Sequence, residues 1–156
     1  MISSLLDGLL DPKHVVLDLR GNTAAEAVWE IIELLRESGE LRKAKEFFEA
    51  VMEREEKSST VANGGVAFPH ARTELVQQIL LGIGRSRRGI SFDGKENRVH
   101  LIFLIAVPQQ MVNDYLICVG GLARRLNNES TRLALLEAAS AAELLERLRD
   151  DDFARA

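Results

Sequence analysis

The chain has 156 residues, of which 46% are apolar and 28% charged, so it is long enough for one soluble globular domain without disulfides. Its net charge of −4 argues against a nucleic-acid partner, and its longest apolar run, Leu101 to Pro108, is far shorter than the roughly 20 residues of a membrane-spanning helix. With no signal-peptide pattern and a single cysteine, Cys118, we expect one cytoplasmic domain over residues 1–156 without membrane insertion.

The first half of the chain predicts two helices between short strands. Thr23 and Glu26 form a capping-box pattern, apolar residues follow at helical spacing, and Ser38-Gly39 supplies a stop. The polar stretch from Ser58 to Gly65 is predicted to be a loop. The predicted elements of this half are a strand over 14–19, helices over 23–38 and 42–57, and a strand over 66–69.

The second half predicts two strands followed by three helices. The second strand is apolar almost throughout, which is typical of a strand buried on both faces. Because strands and helices alternate around it, we predict an α/β sandwich with helices on both sides of a small sheet. The predicted elements are strands over 79–86 and 99–107 and helices over 113–126, 129–138 and from 140 onward.

Three histidines are candidates for chemistry. His14 and His100 lie at the starts of predicted strands and are interpreted as structural. His70 differs because it follows Pro69, which fixes the preceding backbone, and a loop of small residues. A histidine held rigidly beside flexible backbone suits a nucleophile or a base, although this context alone still favours a structural role.

Other chemistries have weaker support in the sequence. No His-x-x-x-His, no Cys-x-x-Cys and no Asp/Glu pair lies near His70 at metal-ligand spacing, and no Gly-x-Ser-x-Gly elbow indicates a hydrolase. Gly82-Ile83-Gly84 lies inside a predicted strand and lacks the third glycine of a nucleotide-binding loop. The basic cluster Arg85, Arg87 and Arg88 is interpreted as a solvated strand end, with docking of an acidic partner as the alternative. Cys118 is interpreted as helix-core packing.

The segment from Ser59 to Arg72 resembles the phosphorylation-site signature of type-2 IIA domains of the bacterial phosphotransferase system. It reads Ser-Thr-Val-Ala-Asn-Gly-Gly-Val-Ala-Phe-Pro-His-Ala-Arg, and the family pattern is a Thr, an Asn-Gly, and apolar-Ala-apolar-Pro-His. The resemblance extends to Arg54, to Gly89-Ile90-x-Phe92, to the apolar strand ending in Val107-Pro108, and to the Leu-Ala-x-x-Leu helix at 122–126. It therefore covers nearly the whole chain and implies a three-layer α/β/α sandwich around a small mixed β-sheet.

The resemblance implies that His70 accepts a phosphoryl group, with Arg54 beside it. Arg54 could offer a bidentate fork to the phosphoryl oxygens, and backbone N–H groups around Asn63 and Gly64 could form an anion-binding nest. The alternative for Arg54 is a solvated residue paired with neighbouring glutamates. No metal or organic cofactor is implied.

One position departs from the family pattern. Where the family usually carries a second histidine in a His-Leu pair, this chain has Tyr115-Leu116. Tyr115 could position the phosphoryl group through its hydroxyl, or it could be an aromatic wall of the site or part of the core.

The resemblance leaves two functions open. The chain could take phosphate from a phosphohistidine carrier protein of the HPr type and pass it to a sugar-specific IIB protein. Alternatively it could be a nitrogen-regulatory binding module whose phosphorylation state controls a partner protein without sugar transport. The absence of fused IIB or IIC segments in this sequence and the loss of the second histidine both favour the regulatory alternative.

Overall fold

The structure is a computed structural model that describes residues 2–92 and 98–150. The helices are Ser4–Asp7 (α1), Ala24–Glu37 (α2), Ala44–Lys57 (α3), Val112–Leu126 (α4), Glu129–Glu137 (α5) and Ala141–Arg149 (α6), and a 3₁₀ turn covers Pro12–His14. The strands are Val15–Val16 (β1), Val61–Ala62 (β2), Val66–Ala67 (β3), His70–Thr73 (β4), Leu80–Ser91 (β5) and Arg98–Pro108 (β6). Within the described residues, no helix is both long and apolar enough to cross a bilayer.

The six strands form one mixed sheet in the order β1-β5-β6-β3-β2, with β4 also paired to β6. Strands β5 and β6 are antiparallel, as are β2 and β3, whereas β1 is parallel to β5 and both β3 and β4 are parallel to β6. The small mixed sheet implied by the family resemblance is therefore confirmed. Strand β6 is its centre, and it supports the whole segment around His70.

Helices cover both faces of this sheet. Successive residues of β6 alternate between two apolar clusters, because side chains of a strand point to opposite faces. Phe103 packs into the cluster that contains residues of α1, α4 and α6, and Leu104 packs into the cluster that contains residues of α2 and α3. The predicted three-layer α/β/α sandwich, with a strand buried on both faces, is confirmed.

The long helices follow the sequence prediction closely. In α2 the Thr23 hydroxyl accepts a hydrogen bond from the Glu26 N–H at 3.1 Å, and the Glu26 carboxylate accepts one from the Thr23 N–H at 3.2 Å. The capping box is therefore formed at both of its contacts. Helix α2 packs closely on β5, since a Cβ atom placed on Gly82 would lie 2.4 Å from Ile31 Cγ2.

The strand predictions need several corrections. The strand predicted over 14–19 is shortened to β1, since His14 belongs to the 3₁₀ turn and residues 17–19 lie outside the strand, although the Leu19 N–H still donates to the Arg85 carbonyl at 2.8 Å. The loop predicted over 58–65 contains β2, which makes a hairpin with β3. The turn of that hairpin contains Gly64 and Gly65 at φ angles of 87° and 76°, a left-handed conformation that suits glycine. The strand predicted to end at Ser86 continues to Ser91, with a register irregularity after Arg85.

The interpretation of Arg85 as a solvated residue is wrong. Its side chain is fully buried, and its guanidinium donates hydrogen bonds to the carbonyl oxygens of Leu17, Leu135 and Ala138 at 3.0, 3.0 and 2.7 Å. Because Arg85, Arg87 and Arg88 are all charged and lie close together, the sequence did not indicate that the Arg85 side chain points into the core. Arg87 and Arg88, in contrast, are exposed as predicted.

Candidate functional site

His70 is the first residue of β4, directly after a break in the strand that pairs with β6. Strand β3 ends at Ala67, and Pro69 has no N–H with which to continue a ladder. The Pro69 carbonyl still accepts a hydrogen bond from the Ile105 N–H at 3.0 Å, and His70 resumes the parallel pairing opposite Ile105. The imidazole is therefore fixed on β4, beside the central strand β6, just after the proline that interrupts the pairing.

The two nitrogens of the His70 ring have different partners. Nδ1 lies 2.9 Å from the carbonyl oxygen of Phe68, and a carbonyl can only accept, so Nδ1 carries the proton. In a neutral ring the lone pair is then on Nε2, which lies 3.3 Å from the hydroxyl of Tyr115. The two rings are tilted by 33° with their centroids 5.0 Å apart. The geometry thus presents Nε2 as the nucleophilic atom.

The surroundings of His70 favour its neutral form. Partial burial of the ring lowers its pKa below the usual 6.5, the hydrogen bond to the Phe68 carbonyl opposes this, and the nearby charge of Arg54 lowers the pKa further. Glu55 has the opposite effect and raises the pKa. The net pKa is lowered, so the ring is largely unprotonated near neutral pH.

A basic cavity of about 270 Å³ lies between α3 and β4. Arg54, Lys57, His70 and Arg72 line it together with Glu53. The Arg54 Nη1 atom donates to the Ser58 carbonyl at 2.9 Å, which uses one nitrogen of a guanidinium that carries five N–H donors. Three cationic side chains beside the imidazole suit a dianionic group bound at His70.

Tyr115 belongs to the same site, on the first turns of α4. Its phenol is half-buried between His70 and the core, and burial raises its pKa, which keeps the hydroxyl protonated as a hydrogen-bond donor. The structure therefore brings together three of the five predicted site residues, His70, Arg54 and Tyr115.

Asn63 and Gly64 lie elsewhere. They form the turn of the β2–β3 hairpin and line two cavities that Arg98 and Arg124 also border, whereas the cavity at His70 is lined by α3 and β4. The Gly64 backbone packs against the Arg132 side chain. The Asn-Gly pair is a hairpin turn, and the structure does not bring it into the basic cavity.

Sequence reasoning missed Lys57 and Arg72, which line the basic cavity. It also missed the contact between Glu55 and Thr60. Glu55 accepts hydrogen bonds from the backbone N–H and the hydroxyl of Thr60, both at 2.7 Å. The only signal in the sequence was that Glu55 follows Arg54 and that Thr60 belongs to the signature. Neither observation indicates that Glu55 contacts Thr60, because this contact depends on how the chain turns after α3.

The remaining histidines and the cysteine have structural surroundings. His14 is buried with Nε2 3.3 Å from the Ser38 hydroxyl, and His100 Nδ1 lies 2.9 Å from the Ser86 carbonyl. Cys118 is buried among apolar residues of the cluster under α4, and burial raises the pKa of its thiol. These positions agree with the structural interpretation of all three.

Comparisons with known proteins agree with the family resemblance and with the fold. The family model described as phosphoenolpyruvate-dependent sugar phosphotransferase system, EIIA 2, matches residues 8–151. The fructose-specific EIIA component of Haloferax volcanii is 32% identical over 119 residues, which cover 76% of this chain and 77% of that protein. The fructose-specific EIIABC component of Bacillus subtilis is 30% identical over 142 residues, 90% of this chain but only 22% of that relative's length.

Solved structures give the same result. The nitrogen regulatory protein IIA-Ntr from Neisseria meningitidis superimposes with a TM-score of 0.83 at 32% identity, covering 93% of this chain and 99% of that one. IIA mannitol from Escherichia coli has a TM-score of 0.76 at 24% identity, covering 89% and 98% of the two chains, and supports the fold alone. The protein belongs to the type-2 EIIA family of the phosphoenolpyruvate-dependent sugar phosphotransferase system, a family of phosphotransfer carriers.

Proposed function

We propose that the protein accepts a phosphoryl group on Nε2 of His70 from a phosphohistidine carrier protein of the HPr type. The observation that supports this most directly is the contact between Nδ1 and the Phe68 carbonyl at 2.9 Å, which leaves the Nε2 lone pair available. The lowered pKa of His70 supports it as well, because only the neutral ring is a nucleophile.

In the proposed step the Nε2 lone pair forms a bond to phosphorus while the N–P bond of the donor breaks. The donor imidazole leaves with the electron pair of that bond. Nδ1 of His70 keeps its proton, and the positive charge that develops on the ring is stabilised by the Phe68 carbonyl dipole. Such a transfer needs positioning and charge stabilisation more than covalent help from the protein.

Arg54 and Tyr115 are proposed to bind the phosphoryl oxygens. Arg54 lines the cavity at His70 and provides a planar fork that matches two oxygens, while the Tyr115 hydroxyl already lies 3.3 Å from the acceptor nitrogen. Lys57 and Arg72 add positive charge on the same side. Asn63 and Gly64 have no part in this proposal, because they lie in a separate hairpin turn.

We infer that the phosphoryl group then passes to a cysteine of a sugar-specific IIB protein. The similarity to fructose-specific EIIA components supports this assignment. A nitrogen-regulatory role is the second candidate, supported by the similarity to IIA-Ntr from Neisseria meningitidis and by the nitrogen regulatory protein of Bradyrhizobium diazoefficiens, 28% identical over 123 residues. In either role we place the protein in the cytoplasm, with its carrier protein.

Phosphorylation of the purified protein tests the acceptor. The chain is incubated with phosphoenolpyruvate, Enzyme I and HPr, and the linkage is identified by ³¹P NMR. We expect one acid-labile phosphohistidine bonded through Nε2, lost in His70→Ala and retained in His100→Gln. Label on another histidine, on Nδ1, or in His70→Ala would refute the assignment.

Transfer to a IIB protein separates the two roles. The phosphorylated chain is mixed with the IIB protein of a fructose-type system, and the label on each protein is followed with time. Movement of the label to the IIB cysteine supports the sugar-transport role. Retention of the label on the chain favours the regulatory role.

A further inference from the structure

The segment that follows α3 is held by two consecutive residues of that helix. Arg54 donates to the Ser58 carbonyl at 2.9 Å, and the Glu55 carboxylate accepts both the N–H and the O–H of Thr60 at 2.7 Å. Hydrogen bonds to a charged carboxylate are short and about twice as strong as neutral ones. Thr60 is therefore fixed to α3 by a two-point contact that is partly shielded from water.

Thr60 is connected to the His70 ring through Phe68. The Phe68 N–H donates to the Thr60 carbonyl at 3.3 Å, and the Phe68 carbonyl accepts from His70 Nδ1 at 2.9 Å. The Phe68 side chain is buried and stacks on Phe103 with ring centroids 5.8 Å apart. Both polar groups of the Phe68 backbone are thus engaged, the N–H by the Thr60 carbonyl and the carbonyl by the imidazole of His70.

This path runs through the two residues between β3 and β4 that belong to neither strand, Phe68 and Pro69. Strand β3 ends at Ala67 and β4 begins at His70, so Phe68 lies between them. The neighbouring residues Ala67 and Pro69 bind β6, whereas the Phe68 N–H donates to the Thr60 carbonyl on the opposite side, so we infer that the Thr60 contact helps to set the orientation of the Phe68 peptide groups. A shift of the Phe68 carbonyl would change both the direction of the imidazole and the nitrogen that carries its proton.

We propose that Glu55 and Thr60 are positioning residues, which hold the Phe68 carbonyl so that His70 keeps its proton on Nδ1 and presents Nε2 to the phosphoryl donor. The inference rests on the proposed role of His70 as acceptor. Glu55 also lies near enough to oppose the effect of Arg54 on the pKa of His70. Neither residue touches the reacting atoms, so both act through Phe68.

The tautomer of His70 tests the proposal without any phosphoryl donor. Ring ¹⁵N NMR is recorded above the pKa of His70 for the wild type and for Thr60→Val and Glu55→Gln, which weaken the contact from opposite sides. We expect the Nδ1–H form in the wild type and a measurable population of the Nε2–H form in both variants. Thr60→Ser keeps the hydroxyl and should restore the wild-type spectrum. Glu56→Gln removes the same charge from an exposed neighbouring position and should have no effect.

Phosphorylation kinetics provide the second measurement. We expect kcat for uptake from HPr to fall about 10- to 100-fold in Thr60→Val and Glu55→Gln, with little change in KM for the carrier, as for a misaligned nucleophile. Thermal unfolding checks that each variant is folded. If Thr60→Val does not fold, the result for Glu55→Gln decides whether the positioning proposal holds. Folded variants with wild-type tautomer and wild-type kcat would overturn the proposal. If the wild type takes up no phosphate but the two variants still change the tautomer of His70, the proposed function of His70 is refuted. The positioning role of Glu55 and Thr60 is then still supported.

Discussion

His70 has two ring nitrogens in different surroundings, and this difference sets the chemistry of the site. The Phe68 carbonyl determines which nitrogen is protonated, and Tyr115 approaches the other. The basic side chains lie on the side of α3, whereas Tyr115 comes from α4. An incoming phosphoryl group would therefore meet a neutral hydrogen-bond donor, the Tyr115 hydroxyl, on one side and the basic side chains on the other.

Tyr115 stands where the family usually has a second histidine, and its hydroxyl should help to position the phosphoryl group. Tyr115→Phe should slow phosphorylation of His70 about 2- to 10-fold, the range expected for one neutral hydrogen bond. Tyr115→His should be active and faster than Tyr115→Phe, because imidazole restores a donor and can gain charge. Phosphotransfer rates are measured with purified HPr. Identical rates in all three proteins would assign the residue to packing alone.

Arg54 should matter for transfer more than for folding. Arg54→Lys keeps the charge but loses the planar fork, so we expect slower phosphorylation with a nearly unchanged melting temperature. Arg54→Ala should lose about 1.5–3 kcal/mol of transition-state stabilisation, the range for a hydrogen bond to a charged group. Rates come from initial velocities and stability from thermal unfolding. A wild-type rate in Arg54→Ala would show that Arg54 is a surface residue.

The pH dependence of the site follows from the lowered pKa of His70. Because the neutral ring is the nucleophile, the fraction competent for transfer should approach its maximum towards neutral pH and should fall as the pH decreases, with an inflection below 6.5. Arg54→Ala removes a charge that lowers the pKa, so its inflection should move upward. NMR titration of the His70 ring measures both. An inflection above 6.5 in the wild type would contradict the lowered pKa.

At the scale of elements, the site depends on how closely α2 and α3 pack on the sheet. Helix α3 contributes Arg54 and Glu55, and α2 fixes the same side of the core through its contact with β5. Two glycines of β5 allow that contact. Added Cβ atoms on Gly82 and Gly84 would lie 2.4 and 2.7 Å from atoms of Ile31, far inside normal contact distance.

Gly82→Ala should therefore destabilise the fold. Overpacking of this kind costs about 1–3 kcal/mol, and each kcal/mol lowers the melting temperature of a chain of this size by about 2–4 °C. Gly120→Ala is the matched control, since its Cβ would meet only Arg124 Nη1 at 3.6 Å, and it should be neutral or stabilising by about 0.5–1 kcal/mol. Thermal unfolding measures both, and equal stability of the two variants would contradict close packing at Gly82.

At the scale of the whole molecule, one buried cation joins parts of the chain that are far apart in sequence. Arg85 lies on β5 and binds carbonyl oxygens of Leu17, near the N-terminal strand, and of Leu135 and Ala138, at the end of α5. It also approaches the Asp18 carboxylate at 3.5 Å. These contacts tie the C-terminal helices to the sheet.

Arg85→Met should destabilise the whole protein, because the methionine fills part of the space but leaves several buried carbonyl groups without their donor. We expect a loss of at least about 3 kcal/mol, since three hydrogen bonds from a charged donor are removed and each contributes about 1.5–3 kcal/mol. Arg87→Met changes the same charge at an exposed position and should stay within about 0.5 kcal/mol of wild type. Denaturant unfolding gives both free energies. A wild-type stability of Arg85→Met would show that the buried contacts contribute little.

The sequence by itself determined the five longer helices, though not the short α1, together with the buried central strand, the layered α/β class and the candidate nucleophile. Amphipathic spacing and the Thr23–Glu26 capping box are local signals, so they place α2 within a residue of its observed ends. The continuous apolar run of β6 reports burial on both faces directly. His70 could be identified because the signature is a run of adjacent residues.

Only the tertiary structure decided which groups meet His70. The Asn63-Gly64 pair is close to His70 in sequence, but a hairpin turns it away, whereas Tyr115 is 45 residues distant and reaches the imidazole because α4 packs beside β6. The inward turn of Arg85 depends on carbonyl groups of Leu17, Leu135 and Ala138, which are distant in sequence and which local propensity does not encode. Contacts between residues far apart in sequence are set by register and packing, and these arise only when the sheet is assembled.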